Sequence, residues 1–228
     1  LSSLALILGI SILITVMSVM NGFREELIKS LSGINGDLVI YESSDQEISN
    51  LESKYPDAKI VKNYQQRVIS ANEEGIEGLL MKSMTIEDFY KIPRLNENFF
   101  EIDNVSENWV FIGTELARSF DVKVGDTLQI SIPGSSMTIL GPVLNSHLLQ
   151  IKGIFNTGIY DYDKYFIYSN ESYFKDISND PIFEIYEGKN KIDTIDLNNM
   201  IYDTWGDQNQ SLSQALATEK NVMFIILF

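Results

Sequence analysis

LSSLALILGISILITVMSVM, residues 1–20, carries no charge, and Arg24 is the first charged residue of the chain. Its polar interruptions are Ser2, Ser3, Ser11, Thr15 and Ser18, hydroxyls that a helix can satisfy by bonding back to its own carbonyls. About 20 apolar residues at a rise of about 1.5 Å match a hydrocarbon core about 30 Å thick. A secretory signal peptide would need a basic n-region and a small-residue cleavage site, and neither is visible. A buried core helix is the competing reading. The other end adds weight to the membrane reading: residues 222–228 read VMFIILF, as the start of a second apolar run. The expectation is a water-exposed domain held between two membrane helices, with both ends on one side of the bilayer.

Outward from that stretch, composition narrows the choices. The 228 residues are enough for one large domain or two small ones. Setting the apolar ends aside leaves roughly 190 residues, which favours two subdomains. With 17 Lys and Arg against 32 Asp and Glu, the formal net charge is −15. Nucleic acid, which requires a basic footprint, is excluded as a partner. The acidic balance fits the non-cytoplasmic side, because cytoplasmic loops concentrate Lys and Arg. There is no cysteine, hence neither a disulfide nor a thiolate metal site.

Beyond Met20 the apolar face continues through Phe23, Leu27 and Leu31 at helical spacing, and Gly33 and Gly36 are expected to stop the helix. A strand is expected over residues 37–41. Ser44 and Glu47 have capping-box spacing ahead of a stripe of Ile48, Leu51 and Tyr55. Separate strands follow at 59–61, 68–71 and 76–82, then a short helix at 85–91. Residues 96–108 are polar and read as loop. Residues 109–112 are a strand leading into a helix at 114–120, with Thr114 as its N-cap. Leu128, Ile130 and Ile132 alternate with polar residues, as do Leu149 and Ile151, so both strands have one buried face. Further strands are expected at 165–168 and 182–186, with a helix at 170–177 between them. Leu197, Met200 and Ile201 form a helical stripe, and Ser211 and Gln214 begin the helix that runs into the second apolar segment.

Little in the chain points to catalysis. His147 is the single histidine, and without cysteine or a second histidine it cannot complete a common zinc ligand set. It reads as a solvated residue at a strand end. No G-x-S-x-G elbow, G-x4-G-K-[ST] loop or G-x-G-x-x-G turn occurs. Asp161-Tyr162-Asp163 resembles the opening of a calcium loop, but Phe166 and Ser172 stand where Gly and Glu are required. Acidic pairs such as Glu73-Glu74 are expected from composition alone. No enzymatic activity, metal or cofactor is expected.

One segment stands apart. PGSSMTILGP, residues 133–142, joins the two well-patterned strands, and it carries Met137, Ile139 and Leu140 where a hairpin tip is normally polar. Its prolines stiffen it and block ladder donation. A stiff apolar tip suits docking to a protein, since little entropy is lost on binding. Folding back onto its own domain is an equal alternative on pattern alone.

SVMNGFREEL (residues 18–27) and QSLSQALATEKNVMFIIL (210–227) closely resemble the LolC/LolE family, the membrane subunits of the bacterial lipoprotein-releasing ABC transporter. FIGTELARSFDVKVGDTL (111–128) and GIFNTGIYDYDKYFIY (153–168) are similar to that family more loosely. The resemblance implies an α+β fold, the MacB-like periplasmic domain, with Porter and Sabre subdomains flanked by the ends of two transmembrane helices. Its implied layout is the end of the first transmembrane helix at 1–22 and the first part of the Porter subdomain at 23–82. A Sabre-like insertion follows at 83–180, then the second part of the Porter subdomain at 181–218 and the start of the second transmembrane helix at 219–228.

The implied function is a non-catalytic inner-membrane subunit with its bulk in the periplasm. Its implied partners are a LolD-like ATPase, a second LolC/LolE-like subunit or a copy of itself, a LolA-like chaperone and lipoprotein cargo. The family's chaperone-binding hairpin, the Hook, corresponds to residues 133–142. The resemblance thus carries partner binding to Pro133, Met137, Ile139, Leu140, Gly141 and Pro142. Cargo or lipid contact falls on Met17, Met20, Phe23 and Leu27, for which ordinary helix packing is the alternative. A LolC subunit, or the hybrid that replaces LolC and LolE in some bacteria, would carry such a hairpin. The competing functions are a MacB-like or FtsX-like permease for peptide export or hydrolase activation, and a membrane-tethered ligand sensor.

Overall fold

The structure, a computed structural model, describes residues 2–96, 99–102, 109–138, 141–173, 180–197 and 200–227. Within these, the side chains of residues 2, 4–6, 96, 99–102, 133–138, 141–145, 220 and 223–227 are outside the description. The first helix, α1 (Ser2–Asn35), runs without a break for 34 residues. Ile7, Leu8, Ile12 and Val19 are each more than half exposed, so the segment is not a buried core helix. It is long and apolar enough to cross a membrane. Thr15 donates its hydroxyl to the Ser11 carbonyl at 2.8 Å, hiding one of the polar interruptions inside the helix. Gly33 does not stop α1. Gly36 does: its φ of +75° is open to glycine without penalty, and an added Cβ would stand 3.0 Å from the Ile185 carbonyl oxygen.

The chain then forms β1 (Leu38–Tyr41), α2 (Asp45–Lys54), β2 (Lys59–Ala71), β3 (Ile76–Met84), α3 (Ile86–Lys91), α4 (Pro93–Asn96) and β4 (Phe99–Ile102). It continues through β5 (Trp109–Gly113), α5 (Thr114–Ser119), β6 (Thr127–Thr138), β7 (Gly141–Phe155), α6 (Tyr160–Tyr165) and β8 (Phe166–Asn170). It closes with β9 (Ile182–Tyr186), β10 (Ile201–Thr204), α7 (Trp205–Gln208) and α8 (Gln210–Leu227). Among the described residues the strands make one ten-stranded sheet in the order β10-β1-β9-β2-β3-β8-β5-β7-β4, with β6 pairing β2 and β7. The β3–β8 and β5–β7 pairs are parallel and the others antiparallel.

Several expectations are corrected. The strands expected at 59–61 and 68–71 are one 13-residue strand, β2, because its polar middle is paired without a break as the partner changes. Residues 59–63 pair with β9, and residues 64–71 pair with β3. Residues 99–102 form β4 inside the stretch read as loop. The helical stripe at Leu197, Met200 and Ile201 is instead a 3-10 turn followed by β10, which is drawn into the sheet by β1. Thr114 is the first helical residue rather than the N-cap, a place taken by Gly113 without a side-chain bond. Of the helix expected at 170–177, the described part holds a 3-10 turn at Glu171–Tyr173, and 174–177 lie outside the described residues. The capping box at Ser44 and Glu47 is present as read.

Among the described residues, three buried clusters form the core. One joins Leu38, Ile40, Ile48, Leu51 and Ile60 from the front of the chain to Phe183, Ile185, Ile192 and Leu197 from its far end. A second is built from the middle, with Val110, Ile112, Leu116, Leu128, Ile130, Leu149 and Ile151 among its members. An aromatic-rich third cluster includes Phe89, Trp109, Phe111, Phe155 and Tyr168. Phe89 sits 4.8 Å from Phe111 and 5.3 Å from Tyr168 between ring centroids, distances at which tilted and edge-on pairs are attractive.

Candidate functional site

β6 and β7 form the long hairpin. Register runs from Thr127 opposite Gln150 to Thr138 opposite Gly141. Its base is fixed by burial, since Leu128, Ile130, Ile132, Leu149 and Ile151 all point into the core of the middle segment. β2 braces it from behind, pairing Ile69 with Ser131 and Ser70 with Ile130, and the Ser70 hydroxyl donates to the Gln129 carbonyl at 2.7 Å.

Residues 133–142 are therefore not a free tip between two strands. Pro133, Met137, Gly141 and Pro142 stand in paired strands. Between the Pro133–Leu144 and Met137–Pro142 pairs the register shifts, so that residues 134–136 face residue 143 alone. Pro133, which has no N–H to give, sits at that irregularity, where a strand tolerates proline. Ile139 and Leu140 lie outside the described residues, as do the side chains of the other four. His147 is within β7, half-buried and paired with Ile130, with its ring 6.4 Å from Tyr173, rather than solvated at a strand end.

The second candidate surface is the exit of α1. Phe23 and Leu27 meet Leu31, Ile159 and Leu212 in an apolar groove of about 350 Å³, with Glu26 and Ser30 at its margin. The helical spacing read from Phe23, Leu27 and Leu31 is thus realised as one surface, though Phe23 remains 62 % exposed. Met17 and Met20 are half-buried on α1 and do not line this groove. Arg24 crosses to α8 here, its Nη2 donating to the Leu216 carbonyl at 2.5 Å.

A third feature lies between β3 and β9. Lys82 on β3 and Glu184 on β9 form a buried ion pair, Nζ to Oε1 2.6 Å, with both side chains 2 % exposed. Lys82 also donates to Asn35 Oδ1 at 3.2 Å, and Gln65 Nε2 donates to Glu184 Oε1 at 3.0 Å. The Tyr186 hydroxyl shares its proton between the Ile34 carbonyl at 2.8 Å and Glu184 Oε2 at 3.2 Å. Asn35 Nδ2 reaches the Tyr162 hydroxyl at 2.6 Å. Burial first, then the Glu184 charge, holds the Tyr186 phenol well above its ordinary pKa, so it stays a donor. Desolvating two charges is costly, and these extra hydrogen bonds are what offset it. The legible signal was Lys82 within the apolar run LLMKSM, at a position of the strand that faces inward.

Asp161–Asp163, rejected as a calcium loop, has a structural task. The buried Asp163 carboxylate accepts from Thr157 N at 2.7 Å, Thr157 Oγ1 at 2.8 Å and Gly158 N at 3.2 Å, closing the loop before α6. Burial raises its pKa against the lowering effect of those bonds. Among the described residues no group of three or more His, Cys, Asp or Glu is placed to hold a metal.

An exposed apolar helix feeding a mixed sheet defines an α+β domain carried on a membrane-length segment. The chain belongs to the MacB-like periplasmic core domain family, whose model matches residues 1–186. Within that family its sequence is LolC/LolE-like. It is 24% identical over 166 residues to the lipoprotein-releasing system transmembrane protein LolC of Neisseria meningitidis serogroup B, a match covering 68% of this chain and 40% of that protein. The chain therefore spans well under half of that relative's length. Among solved structures it is similar to the extracellular domain of the noncanonic ABC-type transporter YknZ from Gram-positive bacteria. That likeness has a TM-score of 0.43 and 10% identity, covering 67% of this chain and 83% of the other.

Proposed function

We propose that this chain is the extracytoplasmic part of an ABC transporter permease subunit that releases lipoproteins from the inner membrane. The supporting observation is the long β6–β7 hairpin, rooted in the core and coinciding with the segment that resembles the Hook. In this reading the hairpin recruits a LolA-like chaperone through residues 133–142. A separate LolD-like subunit hydrolyses ATP, and a second LolC/LolE-like subunit or a copy of this one completes the transporter. Residues 23–82 and 181–218 act as the Porter subdomain and residues 83–180 as the Sabre subdomain. The groove at Phe23 and Leu27, with Met17 and Met20 above it, meets lipid or cargo.

The test is photo-crosslinking from position 139 in the full transporter, with purified LolA-type chaperone from the same source. A crosslink that disappears when Pro133 or Pro142 is replaced by alanine supports chaperone recruitment. Absence of a crosslink in a folded, ATP-hydrolysing transporter overturns it and favours a LolE-like cargo subunit or another permease type.

A further inference from the structure

We propose that the buried Lys82–Glu184 network is a coupling joint that ties α1 and the α7–α8 arm to the same three strands, so that neither arm moves without the other. The proposal holds whatever cargo is carried and requires only that α1 is a membrane helix.

The last two residues of α1 both end in the network. The Ile34 carbonyl, one of the orphan acceptors of a helix C-terminus, takes the Tyr186 hydroxyl, and Asn35 takes Lys82 and gives to Tyr162. A buried ammonium beside a helix C-terminus is also favoured by the helix dipole. From the strands, Gln65, Lys82 and Glu184 bring β2, β3 and β9 to one point.

The other arm arrives through α7. Gln208 lines the same cavity of about 120 Å³ as Asn35, Lys82 and Glu184. Its Nε2 is buried and has no hydrogen-bond partner among the described residues. Trp205 N, at the start of α7, donates to the Asp37 carbonyl at 2.9 Å, two residues beyond the end of α1. Two residues after Gln208, α8 begins. The Arg24 bond to Leu216 ties α1 to α8 at a second level, about 16 Å along α1 from Asn35 at 1.5 Å per residue. Two ties leave α1 no free pivot. Shifting it either strips partners from a buried charge pair, which is strongly unfavourable, or carries the sheet and α7 along.

Such coupling is reciprocal, which sets the test. Hydrogen–deuterium exchange is measured on the full-length subunit in nanodiscs, for residues 32–36 and 205–209, in the wild type, Asn35→Ala and Gln208→Leu. Each substitution is expected to raise exchange about tenfold in both segments. If each loosens only its own segment, the joint is overturned and the contacts are local packing.

Lys82→Met/Glu184→Leu removes the network while keeping the interior filled. Here the unfolding midpoint is expected to persist, while adding Asn35→Ala no longer alters exchange at 205–209. If that cross-effect survives in the double variant, the ion pair is not its carrier. Lys82→Met/Glu184→Gln, which leaves no buried charge unpaired, serves the same comparison if the first double variant fails to fold, and it too is expected to uncouple the segments. Neither readout involves cargo or chaperone, so failure here is distinguishable from failure of the transport reading.

Discussion

The two ends of the sheet are built in opposite ways. One end joins β1 and α2 to β9 and β10, pieces more than 100 residues apart in sequence, in the cluster around Ile40 and Ile185. The hairpin end is drawn mostly from one stretch, β5 through β8, around Ile130 and Ile151. β2 belongs to both, pairing β9 with its first half and β3 and β6 with its second. The hairpin end can assemble from neighbouring segments, whereas the other waits for distant ones and bears the larger loop-closure cost. A strand common to both makes them cooperate.

The largest test of that cooperation is a glycine in each end. A Cβ at Gly113 would stand 2.2 Å from the Asp163 carbonyl oxygen, and one at Gly188 would stand 2.5 Å from the Asp57 carbonyl oxygen. Gly113→Ala and Gly188→Ala are each expected to cost about 3 kcal/mol, the former more. Both should lower a single urea transition in detergent. Two separate transitions would mean that β2 does not unite the ends.

Cavities sharpen the contrast kinetically. Ile130 and Ile40 are both fully buried. Replacing either with Ala is expected to cost roughly 2–5 kcal/mol. Stopped-flow folding should show Ile130→Ala slowing refolding and Ile40→Ala chiefly speeding unfolding, because the end made from distant segments forms last. The reverse pattern would break the comparison.

Smaller still is the cap of α2. Ser44→Ala removes the bond from Glu47 N and the hydroxyl's own bond to the Glu47 carboxylate, and should cost about 1 kcal/mol in the same unfolding titration.

Acid is the finest probe, because it acts on the ends in opposite senses. Lys54 holds Asp196 below the usual carboxylate range, and the Ser44 backbone N–H does the same for Glu47. Stability from these lowered groups is present above their unfolded pKa values, about 4, and is lost as pH falls through the folded ones. Asp163, beside the hairpin end, is raised by burial, so its contribution is full below its unfolded pKa and is lost as pH rises through the folded one. Between pH 6 and pH 3, amide exchange should therefore increase around α2 before it increases around Thr157. Uniform loosening would show that these carboxylates do not set the order.

Much of this was readable from residues, and what was not has physical reasons. The Ser44 box, the Leu128–Ile130–Ile132 face and the strand at 182–186 are local patterns, and they appear where read. β2 read as two strands because KNYQQR looks like a loop. Asn63 in that run is fully buried and Gln65 bonds to Glu184, facts set by strands far along the chain. β10 imitated a helical stripe because three apolar residues at 197, 200 and 201 suit either period, and only β1 decides between them. The apolar face of α1 was legible from spacing, but its groove needed Ile159 and Leu212, brought from elsewhere. The ion pair left a single trace, a lysine in an apolar run, and its partner lies 102 residues away.

β1 and β10 lie side by side, Leu38 opposite Thr204, so the polypeptide enters and leaves the sheet at one place. A domain wired in that manner is a cassette. It can be lifted out and another grafted between the same two helices without altering the distance between them, provided the replacement begins and finishes on adjacent strands. Exchange of whole domains among permeases of this family is therefore an expected route of diversification, with the helices kept as a common socket.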